Sequence, residues 1–207
     1  MKIFVGITGA SGQIYGGRLL RALHSGGHEV TACFSNGSIE VIRAEDLAGA
    51  GLEGASREEV INAFLDSHGL AGEDIASAAP DDMSSPFASG SFLAAASIIC
   101  PCSMSSLASI ACGVTRHLVH RVADVMLKEG RPLVIVPRET PLGEIHLRNM
   151  LRLKQAGARM VPAMPAFYHR PRNVDGLADF MAGKIMDSLG IGHDLFQRWN
   201  GLEGNER

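Results

Sequence analysis

A single α/β domain, with a three-layer, doubly wound and mostly parallel sheet, is predicted by three features of the sequence. Short apolar runs alternate with amphipathic stretches along nearly the whole chain, with no repeat of fixed period. The first thirty-odd residues already read as strand, helix, strand. Glycine- and serine-rich turns punctuate the ends of the apolar runs. Such alternation builds a parallel sheet with helices on both faces, because the crossover between parallel strands is right-handed.

Lys2 to Ile7 is an Ile/Val/Phe-rich run suited to a strand covered on both faces. Gly9 and Gly12 allow a tight turn after it, and Ser11 is placed to cap the helix that follows. That helix would offer unpaired N–H groups and the positive end of its dipole to a phosphate. Ile14 to Ser25 carries Tyr15, Leu19, Ala22 and Leu23 on one face, and Gly26-Gly27 stops it. His28 to Phe34 is the second strand, and Ser35 to Ser38 a second phosphate-friendly turn leading into a helix through Glu45. Ser56-Arg57-Glu58-Glu59 is a capping box opening a further helix. Asp74 to Ala76 reads as a short strand, and Ala79 to Gly90, with two prolines and three serines, as a mobile surface loop. Ala94 to Cys100 is a strand ending at Pro101, with Ser103 capping the next helix. The remaining elements are a helix over Arg116 to Glu129, a strand over Leu133 to Val136, a helix over Gly143 to Gly157, a strand over Arg159 to Val161 and a closing helix over Asn173 to Leu189.

With 207 residues, 46% apolar and 20% charged, the chain suits one substantial globular core and is short for two. A net charge of −3 without a basic run argues against nucleic acid as the main partner. No apolar stretch approaches the ~18 residues of a membrane span. The chain opens directly into a strand rather than a leader, so a cytoplasmic location is expected. Cys33, Cys100, Cys102 and Cys112 show no metal-binding spacing and read as buried reduced thiols.

In a doubly wound sheet, ligands sit at the carboxyl ends of the strands. The turns at Thr8–Gly12, Ser35–Ser38, Cys100–Ser106 and Pro137–Thr140 are therefore expected to converge on one crevice. A Rossmann dinucleotide site wants G-x-G-x-x-G and an acid ending the second strand. This chain has Gly6-x-x-Gly9-x-x-Gly12 and ends its second strand at Ser35, which favours a mononucleotide over NAD. Ser11, Ser35, Ser103, Ser105 and Ser106 could hold a phosphate, although one or two also serve as plain helix caps. Arg138 and Glu139 stand at the carboxyl end of the Leu133–Val136 strand between two prolines, where opposite charges meet a ligand or one another. Arg121, Asp124 and Lys128 share a helix, and Phe167, Tyr168 and His169 follow the last strand; core packing accounts for Phe167 better than for Tyr168.

Several segments together resemble the UbiX/Pad-type flavin prenyltransferases: Thr8-Gly-Ala-Ser-Gly12, Pro101-Cys-Ser103, Arg121-x-Ala-Asp124, Leu127-Lys-Glu129, Arg131-Pro132-Leu133, Pro137-Arg-Glu-Thr-Pro141, His146-Leu147 and Pro165-Ala-Phe-Tyr-His169. The resemblance runs over roughly residues 2 to 199 with the motifs in order. It implies a metal-independent transferase of Rossmann-like flavoprotein fold, assembled as a homododecamer. Such an enzyme joins the dimethylallyl group of dimethylallyl monophosphate to N5 and C6 of reduced FMN, and the prenylated FMN serves UbiD-type decarboxylases. A flavoprotein domain over residues 1–190 is implied, with a tail over 191–207 closing on the active site of a neighbouring subunit.

By the same resemblance, Gly9, Ala10, Ser11 and Ser35 match the first FMN segment and Ser103, Met104, Ser105 and Ser106 the second, its last position commonly Thr. Arg138 matches a flavin-contacting arginine beside the reaction centre. Tyr168 and Lys184 match positions holding the prenyl phosphate, Lys184 being Arg in some relatives, and Arg121, Lys128 and Glu139 match polar groups around it. Glu45 falls at an acidic position near the flavin, and Trp199 matches a tryptophan closing the pocket. Two departures stand out: Asn36-Gly37-Ser38 lacks the lysine many relatives carry there, and residues 46 to 90 match least. The rival readings are a flavin-dependent cysteine decarboxylase, which relies on a histidine after the second strand and a Pro-x-x-Asn motif, and a non-catalytic FMN carrier, which needs neither Arg138–Glu139 nor Lys128.

Overall fold

A computed structural model describes residues 1–73, 75–199 and 201. In chain order the elements are β1 (Lys2–Ile7), α1 (Gln13–Ser25), β2 (Glu29–Phe34), α2 (Asn36–Glu45), α3 (Arg57–Ser67), β3 (Ala76–Ser77), β4 (Ala96–Cys102), α4 (Met104–Ala111), α5 (Leu118–Lys128), β5 (Leu133–Pro137), α6 (Glu144–Gln155), β6 (Arg159–Met160) and α7 (Val174–Leu189). The strands form one sheet in the order β3-β2-β1-β4-β5-β6, and every pairing is parallel. The order reverses between β1 and β4, which register Ile3 against Ala96 and Gly6 against Ile99. That reversal point is where a doubly wound sheet opens a crevice at its carboxyl edge.

Strand parity divides the core in two. Ile3, Val5 and Ile7 of β1 pack with Leu19, Leu20 and Leu23 of α1, with Ile42, Val60 and Phe64, and with Ile185 and Met186 of α7. Phe4, one residue out of phase, packs on the other face with Leu107 of α4, Val119, Val122 and Met126 of α5 and Leu153 of α6. Side chains alternate across a strand, so an unbroken apolar run supplies both layers at once. Five of the six β1 residues, all seven of β4 and all five of β5 are buried.

Several expectations need correction. β4 runs through Pro101 to Cys102 with an irregularity in its pairing to β5 between Ile99 and Cys102; a bulge there accommodates a residue that has no N–H to donate. The segment Ala79–Gly90 is tied down rather than a free surface loop. Its Pro86–Ala88 turn is 3-10 helical, Ser85 and Phe87 are buried, and Phe87 packs on Phe4 with ring centroids 5.3 Å apart. Leu118 N donates to Pro80 O at 2.7 Å, and Arg131 donates to the carbonyls of Gly90 and Phe92 at 2.7 and 2.6 Å. Polar composition concealed the one aromatic that anchors the segment. Phe167 is 70% exposed, so core packing does not explain it. Cys112 caps the C-terminus of α4 and is exposed, unlike the other three thiols. Of the short strand expected at Asp74–Ala76, Ala76 belongs to β3, while Asp74 lies outside the described residues. Among the described residues no helix is long and apolar enough to cross a membrane.

Candidate active site

The turn after β1 is held by two buried side chains: Gln13, which no motif pointed to, and Thr8, whose motif did not show its partners. Gln13 is fully buried, and its Nε2 donates to the carbonyls of Thr8 and Ala10 at 2.8 and 2.6 Å. Thr8 Oγ1 accepts from Ser103 N at 2.8 Å and donates to Pro101 O at 3.0 Å, joining the turn after β1 to the turn after β4. Nothing in residue spacing flags these two; their role depends on which strands become neighbours.

Ser11 does not cap α1. The N-cap is Gly12, in the left-handed region at φ 93°, and no side chain of its own caps the helix. The carboxylate of Glu45, the last residue of α2, does so from a distance of 33 positions in sequence: its Oε2 accepts from Gly12 N at 2.7 Å and from Gln13 N at 3.2 Å. A negative charge thus already occupies the helix end that was expected to draw phosphate. The anion-binding capacity passes to α2 and α4. Ser35 is the N-cap of α2 and its Oγ accepts from Ser38 N; Ser103 is the N-cap of α4 and its Oγ accepts from Ser106 N.

These two N-termini share a cavity of about 640 Å³, within the range of small-molecule sites. Gly9, Ser35, Asn36, Gly37, Ser103, Ser105 and Ser106 line it, together with Arg57 and Arg116. Gly9 is required by the backbone opposite, since a Cβ there would stand 2.9 Å from the carbonyl carbon of Gly37. Arg57 braces this wall, donating to Asn36 Oδ1 at 3.0 Å and to Phe34 O, and its partial burial lowers its proton affinity slightly from the ordinary arginine value. Ala10 and Met104 lie buried beneath the two turns. The remaining wall carries His117 and His120, which sequence reasoning missed because histidines on an amphipathic helix carry no motif.

The fourth expected turn joins the first and third. Arg138 N donates to Cys102 O at 3.3 Å, and its Nε donates to the Ser11 carbonyl at 2.8 Å. Arg138 and Glu139 do not pair with one another: Glu139 is exposed, and its Oε1 accepts from Thr140 N at 2.9 Å. Arg138 also opposes the rise that burial, with Cys100 adding to it, imposes on the Tyr15 phenol above its ordinary value.

The other expected residues form two separate groups. Arg121 pairs with Asp124 at 2.8 Å and donates to Ala88 O at 3.0 Å, while Lys128 pairs with Glu129, so both face the 86–92 segment. Tyr168, Lys184 and Trp199 gather where the segment after α7 returns. Tyr168 and Trp199 rings are 5.8 Å apart at 69°, and they line a second cavity of about 490 Å³ with His169, Arg170, Arg172, Gln197 and Arg198. Lys184 approaches Asp187 at 3.7 Å, a carboxylate that also holds Arg198 at 2.7 Å and His193 at 3.2 Å. The Arg198 hydrogen bond, more than any other neighbour, keeps the Asp187 carboxyl below its usual range. Among the described residues no group of three or more His, Cys, Asp or Glu is placed to hold a metal ion.

The Flavoprotein family model matches residues 1–188. The flavin prenyltransferase UbiX of Alkalihalophilus pseudofirmus is 46% identical over 195 residues, covering 94% of each chain. The crystal structure of AnUbiX in complex with FMN and dimethylallyl pyrophosphate is 38% identical at a TM-score of 0.83, covering 97% of each chain. A dodecameric FMN-dependent UbiX-like decarboxylase from Escherichia coli O157:H7 is 40% identical at a TM-score of 0.83, covering 97% of this chain and 100% of that one. A peptidyl-cysteine decarboxylase, the rival activity, shares the fold at 16% identity and a TM-score of 0.52. With a switch-point crevice, two serine-capped helix ends and full-length kinship to these proteins, the chain belongs to the UbiX-type flavin prenyltransferases of the flavoprotein family.

Proposed function

We propose that this chain transfers the dimethylallyl group of dimethylallyl monophosphate to N5 and C6 of reduced FMN, and that the prenylated FMN passes to a UbiD-type decarboxylase. The observation that carries the reading is the cavity at the carboxyl ends of the strands, where two helix N-termini and the serines that cap them face the same space. Unpaired N–H groups at helix starts, hydroxyls and two arginines form a donor set suited to a phosphate monoester. Ser35, Ser103, Ser105 and Ser106, over the backbone at Gly9, Ala10 and Ser11, would hold the FMN phosphate, with Met104 packing below and Arg138 at the flavin's edge. FMN, when bound and reduced, supplies the nucleophilic nitrogen and carbon.

The rest of the reaction falls to side chains. When the allylic C–O bond breaks, its electrons leave with the phosphate, and cationic or hydroxyl groups stabilise that charge without a metal. Tyr168 and Lys184, with Arg121 and Lys128, are assigned this task. Glu139 donates a proton to the departing phosphate and later accepts the one lost from C6 as the new ring aromatises. Glu45 keeps the flavin turn in shape through its hold on α1, and Trp199 closes over Tyr168.

Arg121 and Lys128 lie against the 86–92 segment while Tyr168 and Lys184 gather with the segment after α7. That division supports a site completed between subunits, the tail over 191–207 closing on a neighbour, in a homododecamer like that of the E. coli relative. Residues 200 and 202–207 of the tail lie outside the described residues. Four unpaired cysteines, three of them buried, fit a reducing compartment such as the cytoplasm. The test is anaerobic incubation with reduced FMN and dimethylallyl monophosphate, followed by mass spectrometry. A flavin heavier by one prenyl unit is expected; unchanged FMN would overturn the reading.

A further inference from the structure

Two imidazoles in the flavin-phosphate cavity have no part in the proposed reaction. His117, at the N-cap of α5, and His120, one turn further on, both line it, with ring centroids 3.8 Å apart and planes at 32°. His120 is 3% exposed, and neither of its ring nitrogens has a hydrogen-bond partner; Nδ1 of His117 is likewise without one. Buried polar atoms are ordinarily satisfied, so unpaired ring nitrogens at the wall of a cavity point to a partner that enters it.

The charged groups that share the cavity come from three other segments: Arg57 from α3, Arg116 from the stretch before α5 and Asp81 from the segment held at Pro80. Burial disfavours the charged form of both rings, and His117 and Arg116 add to this at His120, which is pushed down to about 4. Burial, joined at His120 by Arg116, therefore favours the neutral form of both rings, with the Asp81 carboxylate also lining the cavity. A phosphate dianion at the N-termini of α2 and α4 reverses that balance, because an adjacent opposite charge favours the protonated imidazole. His117 is the less buried of the two rings.

We propose that the His117–His120 stack is the proton-accepting wall of this cavity: a phosphate monoester enters as the dianion, and the stack takes one proton from solvent with it, turning an unpaired ring nitrogen into a donor. This rests on the flavin reading above and deepens it. The ligand cannot produce the same signature, since selection of the dianion over the monoanion of a phosphate with second pKa ≈ 6 releases protons rather than consuming them.

The test is titration calorimetry of the full-length protein with FMN at pH 7, repeated in Pipes, Mops and Tris, whose ionisation enthalpies differ. Uptake of about half a proton or more per FMN is expected, together with an affinity that rises as pH falls from 8 towards 6.5. Riboflavin, which lacks the phosphate, should bind with no uptake, and His117→Gln or His120→Gln should abolish the uptake seen with FMN. Tight FMN binding with no uptake overturns the proposal and leaves the flavin site standing, as does uptake that survives in both variants or is equal for riboflavin. Failure of FMN to bind at all removes the flavin reading and this proposal together. The FMN–riboflavin comparison needs only the unmodified protein, so absent uptake with FMN, or equal uptake with riboflavin, overturns the proposal even where a variant fails to fold.

Discussion

Alanine at Gly9 and alanine at Gly37 probe one contact from its two sides, and the two substitutions are expected to behave differently. A Cβ on Gly9 stands 2.9 Å from the Gly37 carbonyl carbon and 3.0 Å from its Cα and oxygen. All three are backbone atoms of the first turn of α2, so no side-chain rotation relieves the contact. Reaching an ordinary 3.4 Å means parting the turn after β1 from α2 by 0.5 Å. Overpacking of this kind costs about 1–3 kcal/mol. In a chain of this length about 1 kcal/mol moves Tm by roughly 2–4 °C, so Gly9→Ala should lower Tm by roughly 2–12 °C. A Cβ on Gly37 instead meets Gly9 Cα at 3.4 Å and nothing nearer. Alanine is also the better helix former by up to about 1 kcal/mol, so Gly37→Ala should be neutral or mildly stabilising. Urea unfolding followed by far-UV circular dichroism reads both variants, with Gly192→Ala as the control because its Cβ meets nothing within 4 Å. FMN affinity should fall about tenfold in Gly9→Ala, equivalent to ~1.4 kcal/mol. Equal stability of the Gly9 and Gly37 variants would refute the close approach of the two turns on which the phosphate cradle depends.

Three further outcomes are expected. Glu45→Gln keeps an acceptor but removes the charge at the start of α1, and should cost about 1 kcal/mol in urea unfolding; a change below ~0.3 kcal/mol would remove Glu45 as the cap. His120 binds its proton at about 4 in the folded chain against 6.5 ordinarily. The unfolded state therefore holds more protons between those values, and stability falls as pH drops through that window. Because the ring borders a water-accessible cavity the loss should be about 1–2 kcal/mol, absent in His120→Leu, and an identical pH slope in the variant would refute it. Burial raises the thiols of Cys33 and Cys102 to about 12 and that of Cys100 further, whereas Cys112 is exposed. Native protein should accordingly label once per chain with an uncharged disulfide reagent at pH 8, and four times in denaturant; rapid labelling of a second native thiol would contradict the burial.

The sequence by itself determined the architecture, because apolar periodicity and turn chemistry are local and each strand or helix announces its own period. The capping serines Ser35, Ser56 and Ser103 were legible for the same reason: an N-cap and the N–H it accepts are three residues apart. So was the convergence of four turns, since parallel strands in a doubly wound sheet all deliver their carboxyl ends to one edge. The tertiary structure alone decided what each turn does there. Glu45 reaches Gly12 across 33 positions and displaces Ser11 as the cap, moving the anion-binding ends to α2 and α4. Gln13 and Thr8 knit the cradle through contacts that exist only once β1 and β4 are neighbours. Arg121 and Lys128 are kept apart from Tyr168 and Lys184 because α5 and α7 pack on opposite faces of the sheet. Pairings between distant residues carry no periodicity of their own, so the chain spells out its elements while the fold chooses their partners.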